Sequence, residues 1–221
     1  DNAGNYYEGR IKNFEPIGEG TFIGLNGMKF VGFFKNGKYH DYGQLLYPDR
    51  TLYKGYFIDN YFDGNGTISY PNGVTYTGSF QKHSISGNGK MNANGHIYEG
   101  EWNDNLPHGK GKYQWINESH KYEGEYKFGK KEGDGKYTFL NGDIYEGKWK
   151  NDKPHGIGTY TKNDKTYSGI WRYGVLVEDK EVEIKFLNEI FKSQVFEHLS
   201  YMSIKDNDVK IYRPKDGMSL E

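Results

Sequence analysis

The stretch PIGEGTFIG, from Pro16 to Gly24, carries glycines spaced like those of a loop that folds over a phosphate. Such a loop would make the chain a nucleotide enzyme. A kinase loop wants its third glycine where Ile23 stands, however, and no V-A-I-K lysine, H-R-D loop or D-F-G follows. The seven histidines offer no better chemistry. His40, His108 and His155 each stand just before a glycine pair, far apart and without a second ligand at zinc-like spacing. They read more simply as turn residues, and the expectation is no catalytic residue, no metal and no cofactor.

Composition narrows the classes further. Of 221 residues only 34% are hydrophobic, while Gly supplies 31, Tyr 21 and the aromatics together 17%. Aromatic rings must therefore do the burying that Leu, Ile and Val usually do, and the glycines point to many turns or close backbone approaches. Cysteine is absent, which excludes disulfides and thiolate metal sites and favours a reducing compartment, so a cytoplasmic location is expected. No apolar run approaches the roughly 20 residues of a membrane span, and no signal peptide is read at the start. The formal net charge is -1, with residues 178–221 carrying 7 basic and 10 acidic side chains. That is not the footprint of a nucleic-acid binder.

The glycine pair of Pro16 to Gly24 is one copy of many. Y-x-G or F-x-G begins at Tyr7, Phe30, Tyr53, Tyr76, Tyr98, Tyr122, Tyr145 and Tyr167, in steps of 22 to 24 residues. With that aromatic as position 0, glycine stands at +2 in all eight copies and at +13 in the seven full ones. Glycine also fills +11 except at Asp41. Position +4 is aromatic except at Ile11: Phe34, Phe57, Phe80, Trp102, Tyr126, Trp149 and Trp171. Y-x-G-x-W followed by G-x-G on this period resembles the MORN repeat family, most fully in YEGEWNDNLPHGKGKY (Tyr98 to Tyr113) and YEGKWKNDKPHGIGTY (Tyr145 to Tyr160). The resemblance covers about residues 5–177. It implies a string of β-hairpins and a non-enzymatic scaffold or adaptor at the cytoskeleton or a membrane.

The spacing independently predicts an all-β chain: a single-layer, elongated, twisted antiparallel meander of hairpins over 1–177, with seven full repeats and a half repeat. Turn signals alternate near +6 to +8 (KNGK, NDN, NDK) and near +18 to +20 (PNG, ANG, LNG), with strand-length stretches between. A turn centred between +7 and +8 sets +2 opposite +13 and 0 opposite +15. Positions 0, 2, 4, 11, 13, 15 and 17 then share one face. Rings lying over bare glycine backbone would form the core. On the other face the +1/+14 row reads Glu99, Lys112, Glu123, Lys136, Glu146, alternating in sign, and the +3/+12 row mostly does so. About fifteen strands would give a curled ribbon on the order of 70 Å long.

Three candidate binding surfaces follow. The first is an aromatic groove for a peptide or an amphipathic helix, lined by Phe57, Phe80, Trp102, Tyr126, Trp149 and Trp171 with Tyr113 and Tyr137; the alternative is that these rings only pack on one another. The second is an apolar patch on the charged face, where Phe33, Tyr42 and Tyr56 should fall side by side near Ile23, Val31 and Leu46. The third is a basic rim at Lys127, Lys130, Lys131, Lys150 and Lys153 that could rest on anionic lipid such as phosphoinositides, or could be a solvated edge that deters strand pairing.

Residues 178–221 break the period and are expected to cap or associate. VEIKF (Val182 to Phe186) reads as a strand, and Leu187, Ile190, Phe191, Val195, Leu199 and Met202 mark one side of a helix near 187–202. That helix would cover the last strands or pair with its counterpart in a homodimer. DNDVKIYRP reads as a turn and a short extended tail. Asn2, Ala3 and Gly4 match the turn that precedes a repeat, so further repeats are expected upstream.

Overall fold

In the computed structural model the described residues are 4–116 and 118–177, together with the backbone of 201–205 and 208–212. The chain divides into two units, Asp1–Asn94 and Gly95–Glu221. The first holds β1 (Tyr6–Lys12), β2 (Glu15–Ile23), β3 (Lys29–Lys35), β4 (Lys38–Leu46), β5 (Leu52–Ile58), β6 (Tyr61–Ser69), β7 (Thr75–Gln81) and β8 (Ser84–Ala93). The second holds β9 (His96–Asn103), β10 (Leu106–Trp115), β11 (Lys121–Lys127), β12 (Lys130–Thr138), β13 (Ile144–Lys150), β14 (Lys153–Lys162), β15 (Lys165–Arg172) and β16 (Val175–Leu176). Within each unit every strand pairs antiparallel with the next in the chain, so the fold is an all-β meander. A hairpin of β17 (Tyr201–Lys205) and β18 (Asp208–Tyr212) stands apart from these sheets. The helix expected near 187–202 lies outside the described residues as far as 200, as does the strand expected at 182–186. Its last two positions, Tyr201 and Met202, are in β17 and not in a helix.

The glycine rows stack as the period requires. Gly32 faces Gly43 within a repeat and Gly20 across the boundary, and the same holds for Gly124, Gly135 and Gly147. Position 0 faces +15, as in Tyr53 opposite Ile68 and Tyr122 opposite Tyr137. One detail departs from the expectation. The turn is centred between +6 and +7, because two consecutive left-handed residues make a type I′ turn there: Asp59 and Asn60 (φ 50° and 75°), or Asn151 and Asp152 (48° and 67°). From that centre +3 faces +10 and +4 faces +9, as in Phe34 opposite Tyr39. Two extra residues, +11 and +12, then bulge out and restore the glycine pairing. Glycine at +11 serves this bulge and not the aromatic face. It takes positive φ throughout, from 59° at Gly109 to 100° at Gly64, and Asp41 (51°) is the tolerated exception.

The bulge creates a problem that the tyrosine solves. A register shift beside +3 takes backbone groups there out of the ladder. The position-0 ring lies flat over the glycine pair, and its hydroxyl donates to the +3 carbonyl: Tyr7 to Arg10, Tyr53 to Tyr56, Tyr76 to Ser79, Tyr98 to Glu101, Tyr122 to Glu125 and Tyr145 to Lys148, at 2.9–3.1 Å. A Cβ on Gly66 would sit 2.5 Å from the Tyr53 hydroxyl and 2.7 Å from its ring. Position-0 rings inside the array are also met edge-on by two +4 rings, their own and the next repeat's. Tyr53 has Phe57 at 5.1 Å and Phe80 at 5.2 Å, and Tyr145 has Trp149 at 5.2 Å and Trp171 at 5.1 Å.

A second link joins neighbouring repeats. In the turns at Gly37, Asn60, His83, Gly129, Asp152 and Gly174 the +7 N–H donates to the +9 carbonyl of the preceding repeat, for example Asn60 to Tyr39 at 2.9 Å and Gly129 to Pro107 at 2.9 Å. Where +9 has an N–H, the +7 side chain accepts it: Asn60 from Tyr39 at 2.7 Å, His83 from Phe62 at 3.2 Å and Asp152 from Lys131 at 2.8 Å. Where +9 is Pro16, Pro107 or Pro154, the facing +7 residues are Gly37, Gly129 and Gly174. Proline has no N–H to satisfy, so an acceptor is not needed there.

Replacing Gly66 by alanine is expected to destabilise the protein by about 2–3 kcal/mol through overpacking against Tyr53. Tyr53→Phe, which only orphans the Tyr56 carbonyl, is expected to cost about 1 kcal/mol. Denaturant unfolding measures both, and a Gly66→Ala loss no larger than that of Tyr53→Phe would refute the close contact.

Candidate functional site

The aromatic face is filled. Phe57, Phe80, Trp102, Tyr126, Trp149, Trp171, Tyr113 and Tyr137 are all at most 4% exposed. The indole N–H groups of Trp149 and Trp171 donate to the carbonyls of Gly135 and Gly158, both at 3.0 Å. The expected open groove is therefore corrected to a core. What closes it is the +9 row, which the sequence reading passed over: Tyr39 stacks on Phe30 at 3.8 Å and Phe62 on Tyr53 at 3.7 Å. The signal was available, since +9 has the same parity as +11 and +13, and Pro107 and Pro154 keep it apolar.

The apolar patch lies on the opposite face of the first unit. Ile23, Val31, Phe33, Tyr42, Leu46 and Tyr56 are all exposed, from 37% at Phe33 to 55% at Tyr42. Tyr42 and Tyr56 are direct cross-strand partners with ring centroids 5.6 Å apart. Phe33 does not face Tyr42 within its repeat, because the bulge sets it opposite His40. Leu46 faces Leu52, and Val31 faces Thr21 and Gln44. In the second unit the same face carries ion pairs instead: Lys112 with Glu123 at 3.2 Å, Lys136 with Glu146 at 3.3 Å and Lys148 with Asp134 at 2.7 Å.

On the rim, Lys127 faces Lys130 and Lys150 faces Lys153 across two-residue turns, all exposed. Lys131 does not belong with them. It takes the +9 place, only 3% exposed, with Nζ 4.5 Å from the Tyr137 ring centre, 5.1 Å from Trp149 and 5.2 Å from Tyr122. Burial pushes its pKa down to about 8, against the pull of Asp152. The Asp152 carboxyl is raised by burial, while the Lys131 N–H and ammonium act to lower it. His120 lies nearby, its ring 3.8 Å from Trp115 and its Nε2 3.0 Å from Glu118. Burial lowers its pKa, Glu118 opposes this, and Lys131 and His96 add to it. Of the histidines before the glycine pairs, His40 approaches Asp59 of the next turn (3.8 Å), while His108 and His155 touch Phe128 and Tyr173 of theirs. Among the described residues no group of His, Cys, Asp and Glu could hold a metal ion.

A sequence profile described as MORN repeat matches residues 30–51, 53–75, 98–120, 122–144 and 145–166, together just over half of the chain. The chain belongs to the MORN repeat family. The MORN repeat that starts at Tyr76 escapes the profile, yet it keeps the Gly78–Gly89 pairing and the Tyr76 hydroxyl bond to Ser79. No curated protein sequence matches the chain. Among solved structures, the chain is similar to the SAS-4 (dCPAP) TCP domain of Drosophila melanogaster in complex with a proline-rich motif of Ana2 (dSTIL). That likeness has 13% identity and a TM-score of 0.37, over 59% of this chain and 73% of that one. It is also similar to the wild-type TCP10 domain of Danio rerio CPAP in complex with a STIL peptide, with 12% identity and a TM-score of 0.18, over 75% and 97%.

The buried titratable groups of the MORN sheet set its pH response. Lys131 releases its proton more readily folded than unfolded, so the stability it contributes is complete above its ordinary 10.5 and lost as pH falls through about 8. The tyrosines act with the opposite sign. Burial raises Tyr39 to about 12 and raises Tyr53, Tyr98 and Tyr122 as well, so their contribution is full below the ordinary 10.0 and lost as pH climbs through the folded values. Stability is expected to rise by about 1–2 kcal/mol between pH ~8 and ~10 and to fall at higher pH. Denaturant unfolding of Lys131→Met should show the alkaline fall without the rise; a rise equal to wild type would remove Lys131 as its source.

Proposed function

We propose that this MORN repeat chain is a non-enzymatic scaffold that binds a protein partner through the outer face of its first unit, in the cytoplasm beside the cytoskeleton or an internal membrane. The observation that carries this reading is the patch itself. Six apolar or aromatic side chains stand exposed on four adjoining strands, on a face where the second unit carries ion pairs and one exposed apolar pair, Ile157 with Ile170. Contiguous exposed apolar surface of this kind marks contact sites. With the aromatic face filled, this patch is an apolar surface open to a peptide or an amphipathic helix. Two rings inclined at 77°, Tyr42 and Tyr56, give such a segment both ring edges and ring faces to pack on, with hydroxyls for hydrogen bonds.

The alternatives are a peripheral membrane module that binds anionic lipids through the basic rim and a homodimer, and one set of measurements separates the three. Phe33→Glu with Tyr56→Glu changes only exposed positions, so the thermal midpoint is expected to hold. A protein captured from extract by the wild type should be retained at least about tenfold less by the variant. Sedimentation and flotation with anionic vesicles report dimer and lipid contact. Equal protein capture by both forms would overturn the reading.

A further inference from the structure

We propose that the turn rim of the second unit, from β11 to β16, is a docking strip for an acidic, extended peptide with two apolar side chains about six residues apart. The charges point to it first. On the outer sheet face of this unit Lys112, Lys136 and Lys148 are set against glutamate or aspartate, but on the rim Lys127 is set against Lys130 and Lys150 against Lys153, a pairing that also occurs at Lys35 with Lys38 and at Lys162 with Lys165. Like charges directly opposite one another are unfavourable. Deterrence of strand pairing does not account for them, since β11 to β14 are hydrogen-bonded on both sides. Of the nearby carboxylates, Asp152 accepts the Lys131 N–H at 2.8 Å and also attracts the Lys131 and Lys130 ammonium groups, while Glu132 accepts the Asn151 N–H at 3.1 Å. Lys127, Lys130, Lys150, Lys153 and Arg172 all stand exposed along this line. An anionic partner would relieve the repulsion.

The rings point to a peptide. Phe128 and Tyr173 occupy the first turn position, both at φ 50°, where Asn13, Asn36, Asp59, Asp104 and Asn151 stand in sister turns and Lys82 in one more. Bulky residues are rare in that conformation. Phe128 is 60% exposed and Tyr173 59%, and each lies against a histidine of the preceding repeat: His108 at 5.4 Å and His155 at 4.9 Å. A ring held against the sheet offers a flat platform to a chain running past it, and is not extended as a finger into a bilayer. From the turn after β11 to the turn after β15 is four strand spacings, about 19 Å, which an extended chain covers in about six residues. Lys150 and Lys153 lie between the two platforms, opposite the acidic stretch of such a peptide.

The test uses the full chain and a labelled synthetic peptide with two leucines about six positions apart among aspartates and glutamates, followed by fluorescence anisotropy. Binding should weaken steeply with salt. It should fall at least about tenfold in Phe128→Asn with Tyr173→Asn, and likewise in Lys127→Glu with Lys150→Glu. Asparagine suits these turn positions, so the thermal midpoint of the first variant should not drop. The Phe33→Glu and Tyr56→Glu variant of the first unit should bind this peptide as the wild type does, which keeps the two surfaces distinguishable. Equal affinity of the asparagine variant, equal binding of a peptide with adjacent leucines, or flotation with phosphatidylserine vesicles without peptide binding would each overturn the proposal.

Discussion

One contact organises the sheets: a tyrosine ring lying on a pair of facing glycines, with its hydroxyl on the carbonyl three residues ahead. Each part of the motif follows from another. The glycines must be bare because the ring occupies the space of their side chains. In six repeats the ring's hydroxyl serves the carbonyl that the bulge beside +3 takes out of the ladder. The bulge itself is needed because a two-residue type I′ turn and the glycine pairing are out of step by two residues. Phe30 keeps the packing half of this arrangement without the hydrogen bond, and it lies stacked under Tyr39.

Much of this was legible in the residues. The Tyr and Gly rows and the alternating +1/+14 row of Glu and Lys fall where the spacing put them, while +3 meets +10 and not +12 within a repeat. What the spacing could not reveal was the local shift inside each repeat. A two-residue bulge preserves the alternation of faces, so a pattern of faces is blind to it; only the paired positive-φ turn residues betray it. The candidate site was less legible for the same reason. Glycine beside aromatic reads equally well as an open trough or as a ring seated on backbone, and the +9 row decides between them. Lys131 shows the limit: a lysine beside Lys130 reads as rim, yet its alternation parity sends it among rings.

Aromatic residues in this chain thus serve two ends, separated by position alone. At 0, +4, +9 and +15 they are interior. On the outer face at Phe33, Tyr42 and Tyr56, and at the turn residues Phe128 and Tyr173, they are exposed. Nothing in the regular core needs the second group, since most sister repeats fill the same places with polar residues such as Glu101, Lys148, Asn65 and Asp104. The framework is carried by invariant backbone geometry, and the surface is free to differ from repeat to repeat.

The bond between each turn and the strand before it has a further consequence. A proline at +9 is matched by glycine in the next turn, and any other residue there is matched by Asn, His or Asp. Neighbouring copies are therefore fitted to one another in sequence like key and lock. Shuffling them would break the fit even though every copy shares one fold, so their order along the chain is itself part of what must be inherited.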